Sequence, residues 1–167
     1  MSVLPVSIVN FLIYIFHLNI KLSKIIIMKS LKHILENYNN PDIGLVFMRI
    51  IFGTLMFFNH GYSKLIGGIN RWERLGSALT DFIGLSFLQT FFGLMAALSE
   101  SVFSLFIVLG LLTRLSSTLL FITMFVASAN HLIDNELPEM AILYASFCIL
   151  LLVSGPGKYS LDKHFLK

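Results

Sequence analysis

Two side chains stand where a charge is costly. Arg49 interrupts an apolar run between Asp42 and Phe58, and Glu100 lies inside a second one between Leu85 and Leu112. A lone charge deep in hydrocarbon costs at least ~2.5–3.5 kcal/mol on insertion scales, so such residues are retained for a partner or a task. Glu100 is the only acid between Asp81 and Asp134, which makes it the natural partner for Arg49. The plain expectation is an intramembrane ion pair that fixes helix register. The functional alternative is a proton-carrying carboxylate or a ligand anchor. A second group, His60, Lys64, Asn130, His131 and Glu139, falls at the ends of apolar runs, with Asn59 beside His60. Convergence of these residues would build a polar mouth over an apolar interior. A quinone head group needs such a place, with donors for its carbonyl oxygens and apolar walls for its tail. Histidine is also the side chain best suited to passing protons. The bland alternative is that these residues simply bond to lipid headgroups and loops.

Several chemistries are not expected. Haem would need both imidazoles aimed inward at one depth, and a metal site would want a third ligand, so no metal is assigned. Cys148 is the only cysteine, which excludes an intramolecular disulfide and CxxC sites; it reads as a small core residue, and Tyr144 as packing. No haem motif, Gly-rich nucleotide loop or cysteine cluster is present. Self-contained electron transfer and a cofactor of the chain's own are therefore not expected, and catalytic residues are unassigned.

The elements that must position these residues are helical and apolar. Of 167 residues, 56% are hydrophobic and 13% charged, with a mean hydropathy of +0.83. A soluble domain typically carries about 25% charged residues, so half the usual share leaves too few to cover a water-facing surface. The class is an all-α integral membrane protein, and lipid is its first partner. Pro41-Asp42 marks a helix start, and a first span runs over about 43–59, ~25 Å long at ~1.5 Å per residue. Trp72, Leu75, Leu79 and Phe82 recur at helical steps opposite Arg71, Glu73, Arg74, Ser77 and Asp81, which predicts a short amphipathic helix lying in the interface with Trp72 as anchor. A second span covers about 85–112. Its Gln89, Gly93, Ala97, Glu100 and Ser104 share one face, where small residues allow a close neighbour. The third covers about 115–131, with Ser116, Thr123, Ala127 and His131 on one face. The fourth covers about 138–154, and Gly155-Pro156 stops it.

The depths of the two charges come from the same rise. Arg49 lies ~9 Å above the inner end of the first span and Glu100 ~18 Å above the inner end of the second, a gap an arginine stem can bridge. Residues 1–28 read either as a weak extra transmembrane helix or as an upstream extension, since Met28-Lys29 makes an alternative start. Residues 29–42 form a basic segment, 43–155 the four-helix transmembrane domain and 156–167 a cytoplasmic tail. One side of the bundle would hold Lys21, Lys24, Lys29, Lys32, Arg114, Lys158, Lys163 and Lys167, the other Lys64, Arg71 and Arg74. Eight basic residues against three predict both termini in the cytoplasm. This is a topology signal and not a nucleic-acid footprint.

The arginine in the first span, HGYSKLIGG (60–68), Glu100, GLLTR (110–114), His131, Leu143-Tyr144 and GPGKYSLD (155–162) together resemble the DoxX family of small four-helix membrane proteins. The resemblance covers about residues 41–163. It implies a bacterial cytoplasmic-membrane protein, an accessory subunit of a quinone-linked redox or oxidative-stress system, with quinone as the ligand and other membrane redox proteins or a second copy of the chain as partners. A small-solute transporter or a scaffolding protein is the competing expectation.

Overall fold

The computed structural model of the protein describes residues 6–37 and 40–165, with side chains from 14–33 and 40–165. The first residues of the expected extension, and Lys167 in the basic count, lie outside the described residues. The chain divides into two units, Met1–Asn40 and Pro41–Lys167. The first contains α1 (Val6–Asn37), a 32-residue helix that passes Met28 without a break. The boundary expected between an extension and a basic segment is therefore not a boundary of secondary structure. Residues 14–33 are all exposed.

The second unit is helical throughout, with no strand among the described residues. Its elements are α2 (Pro41–Leu65), α3 (Ile69–Ile83), α4 (Ser86–Leu109), α5 (Thr113–Ile133), α6 (Glu139–Ser154) and α7 (Leu161–Phe165). Among the described residues α2, α4 and α5 are long and apolar enough to cross a membrane; α6 is apolar but shorter. At ~1.5 Å per residue its 16 residues give ~24 Å. Large apolar side chains such as Phe47, Phe125 and Val153 point outward, while Met56, Ile107, Leu120, Tyr144, Phe147 and Leu151 form the core. An exterior of that kind suits hydrocarbon rather than water. Phe52 of α2 stacks on Phe147 at 4.5 Å and meets Tyr144 edge-on at 5.6 Å, which fixes α2 against α6.

Glycine sets the closest helix contacts. A methyl group on Gly53 would meet the Ser104 carbonyl and the Val108 side chain, and one on Gly61 would overlap the Glu100 carbonyl. Rising α2 numbers therefore meet falling α4 numbers, and the two helices run antiparallel. In the same way Gly76 of α3 faces Gln89, and Gly93 of α4 faces the backbone of Trp72. The small-residue face expected on the second span is thus used, and its Gly93 neighbour is the amphipathic helix. α3 is packed along the first half of α4 rather than resting only against lipid. Trp72 also ties α3 to the end of α2: its Nε1–H donates to the Lys64 carbonyl at 3.0 Å, which the Gly67 N–H reaches as well at 3.3 Å.

The expected span 43–59 was too short because α2 does not stop at Asn59. Phe57–Gly61 forms a wide π-helical turn, and a further turn, Tyr62–Leu65, continues from it. One residue added to a helix rotates the downstream side chains by roughly 100°, and such turns recur at functional sites.

The segment expected to be a plain tail is folded onto the bundle. Asp162 receives the backbone N–H of Leu112 at 2.7 Å and of Thr113 at 2.8 Å, while its own N–H donates to the Gly110 carbonyl at 2.9 Å. The Lys158 N–H donates to Asp42 at 2.7 Å. Leu112 sits at φ 45°, a left-handed conformation that costs a bulky residue roughly 1–2 kcal/mol, and Asp162 holds it there.

Candidate functional site

Glu100 owes its position to an irregular turn. α4 is interrupted at Ser101, whose φ of −105° and ψ of −82° leave the helical region. Serines stitch the break: Ser101 Oγ donates to the Ala97 carbonyl at 2.6 Å, Ser104 Oγ to the Ser101 carbonyl at 2.6 Å, and Ser99 Oγ lies 2.7 Å from Thr123 Oγ1 on α5. Inserted hydroxyls of this kind are an identifiable cause of helix bending. The widened turn of α2 crosses α4 at this point, with Gly61 against the Glu100 backbone. Lys64, in the next turn of α2, places its Nζ 2.7 and 2.6 Å from the two Glu100 carboxylate oxygens. Glu100 is 2% exposed and Lys64 21%. Charge-assisted contacts to both oxygens in this apolar setting are much stronger than a surface pair.

The pair lines two cavities. One, of about 310 Å³, is bounded by α3, α4 and α5 and is almost wholly apolar apart from Lys64, Glu100 and Thr123; Leu79, Phe92, Met95 and Ile122 are among its walls. The other, of about 130 Å³, is mixed: His60, His131 and Tyr144 join Lys64 and Glu100, among the apolar side chains of Met56, Met124 and Met140. The His60 ring stands edge-on to Tyr144 with centroids 6.1 Å apart. A buried carboxylate–ammonium pair with hydroxyl and imidazole neighbours can orient a ligand's polar head and exchange protons with it.

The expected pairing of Arg49 with Glu100 is not formed. Glu100 is taken by Lys64, and Arg49 turns to the opposite end of the bundle, where its Nη2 donates to the Tyr159 carbonyl at 3.1 Å. Its guanidinium lies against Gly110, at the end of α4. Gly110 is ten residues past Glu100, ~15 Å along the helix, too far for contact. The two charges do not meet because the inner ends of α2 and α4 are not level. In the fold α2 begins well before α4 ends, and the tail fills the difference.

The outer residues separate likewise. His60, Lys64 and His131 do line the smaller cavity, although His131 is half exposed and pairs with Glu136 at 2.8 Å. Asn130 is absent from both linings; its amide donates to the Ala78 and Val126 carbonyls, each at 2.9 Å, and so ties α5 to α3. Glu139 is exposed and lines neither cavity. Tyr144, read from the sequence as packing, does pack in the core, edge-on to Phe52, and also lines the smaller cavity. Among the described residues no group of three or more His, Cys, Asp or Glu is arranged to hold a metal.

A family model described as DoxX matches residues 44–131, just over half of the chain. The match takes in His60, Lys64 and Glu100 and ends at His131, before Tyr144 and the tail. No curated protein and no solved structure matches.

Proposed function

The chain belongs to the DoxX family of membrane proteins, and on that premise we propose that it is an accessory subunit of a quinone-linked redox system in the cytoplasmic membrane. The observation that supports this reading is the position of the Lys64–Glu100 pair, shared by an apolar cavity of about 310 Å³ and a smaller one of about 130 Å³ that gathers His60, His131 and Tyr144. A quinone has parts to match, a ring bearing two carbonyl oxygens and an apolar tail.

The residues fit such a ligand. An ammonium has three N–H donors, and two directed at Glu100 leave Lys64 a third for a carbonyl oxygen. Tyr144 and His60 supply further polar contacts beside it. Phe92, Leu79 and Ile122 offer apolar surface to a tail. Once bound, a quinone supplies two-electron, two-proton redox chemistry. Lys64 and Glu100 would orient the head group and hold protons near it, and the apolar walls would keep water away. Electrons would come from a partner protein, which is why the role is accessory.

Trp72 provides the test. It is the only tryptophan, and its indole N–H is bonded to the Lys64 carbonyl, so a quinone in the site lies within quenching range. In nanodiscs a short-tailed quinone should quench Trp72 fluorescence saturably, with Lys64→Met weakening the apparent affinity about tenfold or more. Identical quenching curves for wild type, Lys64→Met and Glu100→Gln would refute the assignment. The tail end of the bundle is assigned to the cytoplasm on the basic asymmetry. Reporter fusions at Asn70, Asn135 and the C-terminus check this, and an external signal from the C-terminal fusion would reverse it.

A further inference from the structure

At the end of the bundle remote from Glu100, the folded tail and the start of α5 border an open groove of about 860 Å³. Arg114, Lys158 and Lys163 line it and are exposed, and none of the three forms an ion pair among the described residues. Its one acidic lining residue, Asp42, is engaged by the Lys158 N–H. Asp162, close by, is occupied by the amides of Leu112 and Thr113. Behind the groove lies a fourth cation. Arg49, 1% exposed, bonds through Nη2 to the Tyr159 carbonyl, while its Nε and Nη1 have no hydrogen-bond partner. Tyr159 itself lines the groove, so the buried charge adds to its field. Three lining cations, Arg114, Lys158 and Lys163, stand against one lining carboxylate, Asp42, while Asp162 acts on the buried Arg49 behind them, leaving a concave site of positive potential.

The groove lies where α5 and α6 leave the apolar layer. Leu115 and Val153, neighbours in sequence of Arg114 and the lining Ser154, are exposed and lipid-facing. A cationic concavity bordered by acyl-chain contacts matches a ligand that is anionic at its head and apolar below. We propose that Arg114, Lys158 and Lys163 seat the phosphate of one anionic phospholipid in this groove. The site is independent of the quinone reading, which concerns the opposite end of the bundle.

Retention of phosphatidylglycerol relative to phosphatidylcholine, measured by native mass spectrometry of the purified full chain, tests it. Each basic residue near a membrane surface contributes about fivefold in affinity for anionic lipid. Lys158→Gln with Lys163→Gln should therefore lower the preference at least tenfold, and Lys158→Arg with Lys163→Arg should keep it. Arg71→Gln with Arg74→Gln removes the same charge at the other end and should leave the preference intact. Should the double Gln variant fail to fold, Lys163→Gln alone carries the comparison at about fivefold. An equal loss in the Arg71/Arg74 variant would mean bulk electrostatics and overturn the proposal. Displacement of the lipid by inorganic phosphate at equal concentration would overturn it in favour of a free-anion site, and an unchanged preference in the Gln variants would overturn it outright.

Discussion

Replacing Lys64 by Met strips Glu100 of its cation while nearly preserving side-chain length. Breaking a buried pair by removing one partner generally costs ~3–5 kcal/mol, because the remaining charge stays desolvated. Glu100, 2% exposed, meets that condition; Lys64, 21% exposed, is partly reached by solvent, which moves the expectation to ~2–3 kcal/mol. Glu100→Gln leaves the better-solvated ammonium behind and should cost less, ~1–2 kcal/mol. The double variant Lys64→Met/Glu100→Gln leaves no stranded charge, so the two changes should couple by ~1–3 kcal/mol, the range for residues in direct contact. Arg49 supplies the internal control. It lies by Gly110, ~15 Å along α4 from Glu100, and changes that far apart add to within ~0.5 kcal/mol. The assay is reversible unfolding in mixed micelles, monitored by far-ultraviolet circular dichroism for the wild type and five variants: Lys64→Met, Glu100→Gln, Arg49→Gln and the two doubles containing Glu100→Gln. A Lys64→Met cost below ~0.5 kcal/mol, or a coupling of Arg49 to Glu100 above ~1 kcal/mol, would refute the pairing described.

Gly61→Ala and Gly93→Ala each drive a methyl group into a backbone carbonyl of a neighbouring helix, so folded yield should fall with a loss of ~1–3 kcal/mol, whereas Gly44→Ala, with nothing within 4 Å, should be silent. Equal melting temperatures for all three in one detergent would show that the close crossings do not hold the bundle. Asp162→Ala removes the acceptor for two backbone amides and should cost ~1–2 kcal/mol, comparable to losing a helix cap. Hydrogen exchange should then accelerate at Leu112 and Thr113 first, and unchanged exchange there would contradict the cap.

The apolar periodicity and turn residues made most of the helices legible, since a helix reports itself locally through i, i+3 and i+4 spacing. The small-residue face of α4 was legible for the same reason. What the sequence did not carry was relative height. Pairing Arg49 with Glu100 required the spans to share a baseline, and α2 instead starts well before α4 finishes. The wide turn at Phe57–Gly61 was hidden too, because one extra residue within a helix leaves the composition around it unchanged, and it set where α2 ends. The folding back of the tail depends on Asp162 finding amides fifty positions earlier, a contact with no local signature. Tyr144 reads as packing and does pack, edge-on to Phe52; its share in a cavity wall depends on the neighbouring helices, which α6 alone does not report.

The tail also sets an order on biogenesis. The carbonyl that receives Arg49 belongs to Tyr159, 110 positions downstream, and the amide that donates to Asp42 is 116 positions downstream. At roughly 5–20 residues per second a ribosome needs roughly 5–20 s to cover that stretch. Throughout this interval α2 is synthesised and inserted with an arginine whose acceptor does not yet exist. The nascent chain must therefore tolerate a lone guanidinium on α2, and one end of the bundle closes only after the last helix has left the ribosome. A chain ended at Ser154 would keep every span and still lack that closure. Pulse-chase should show it inserting normally and then decaying faster than the full-length protein; equal lifetimes would mean that the tail is dispensable for retention.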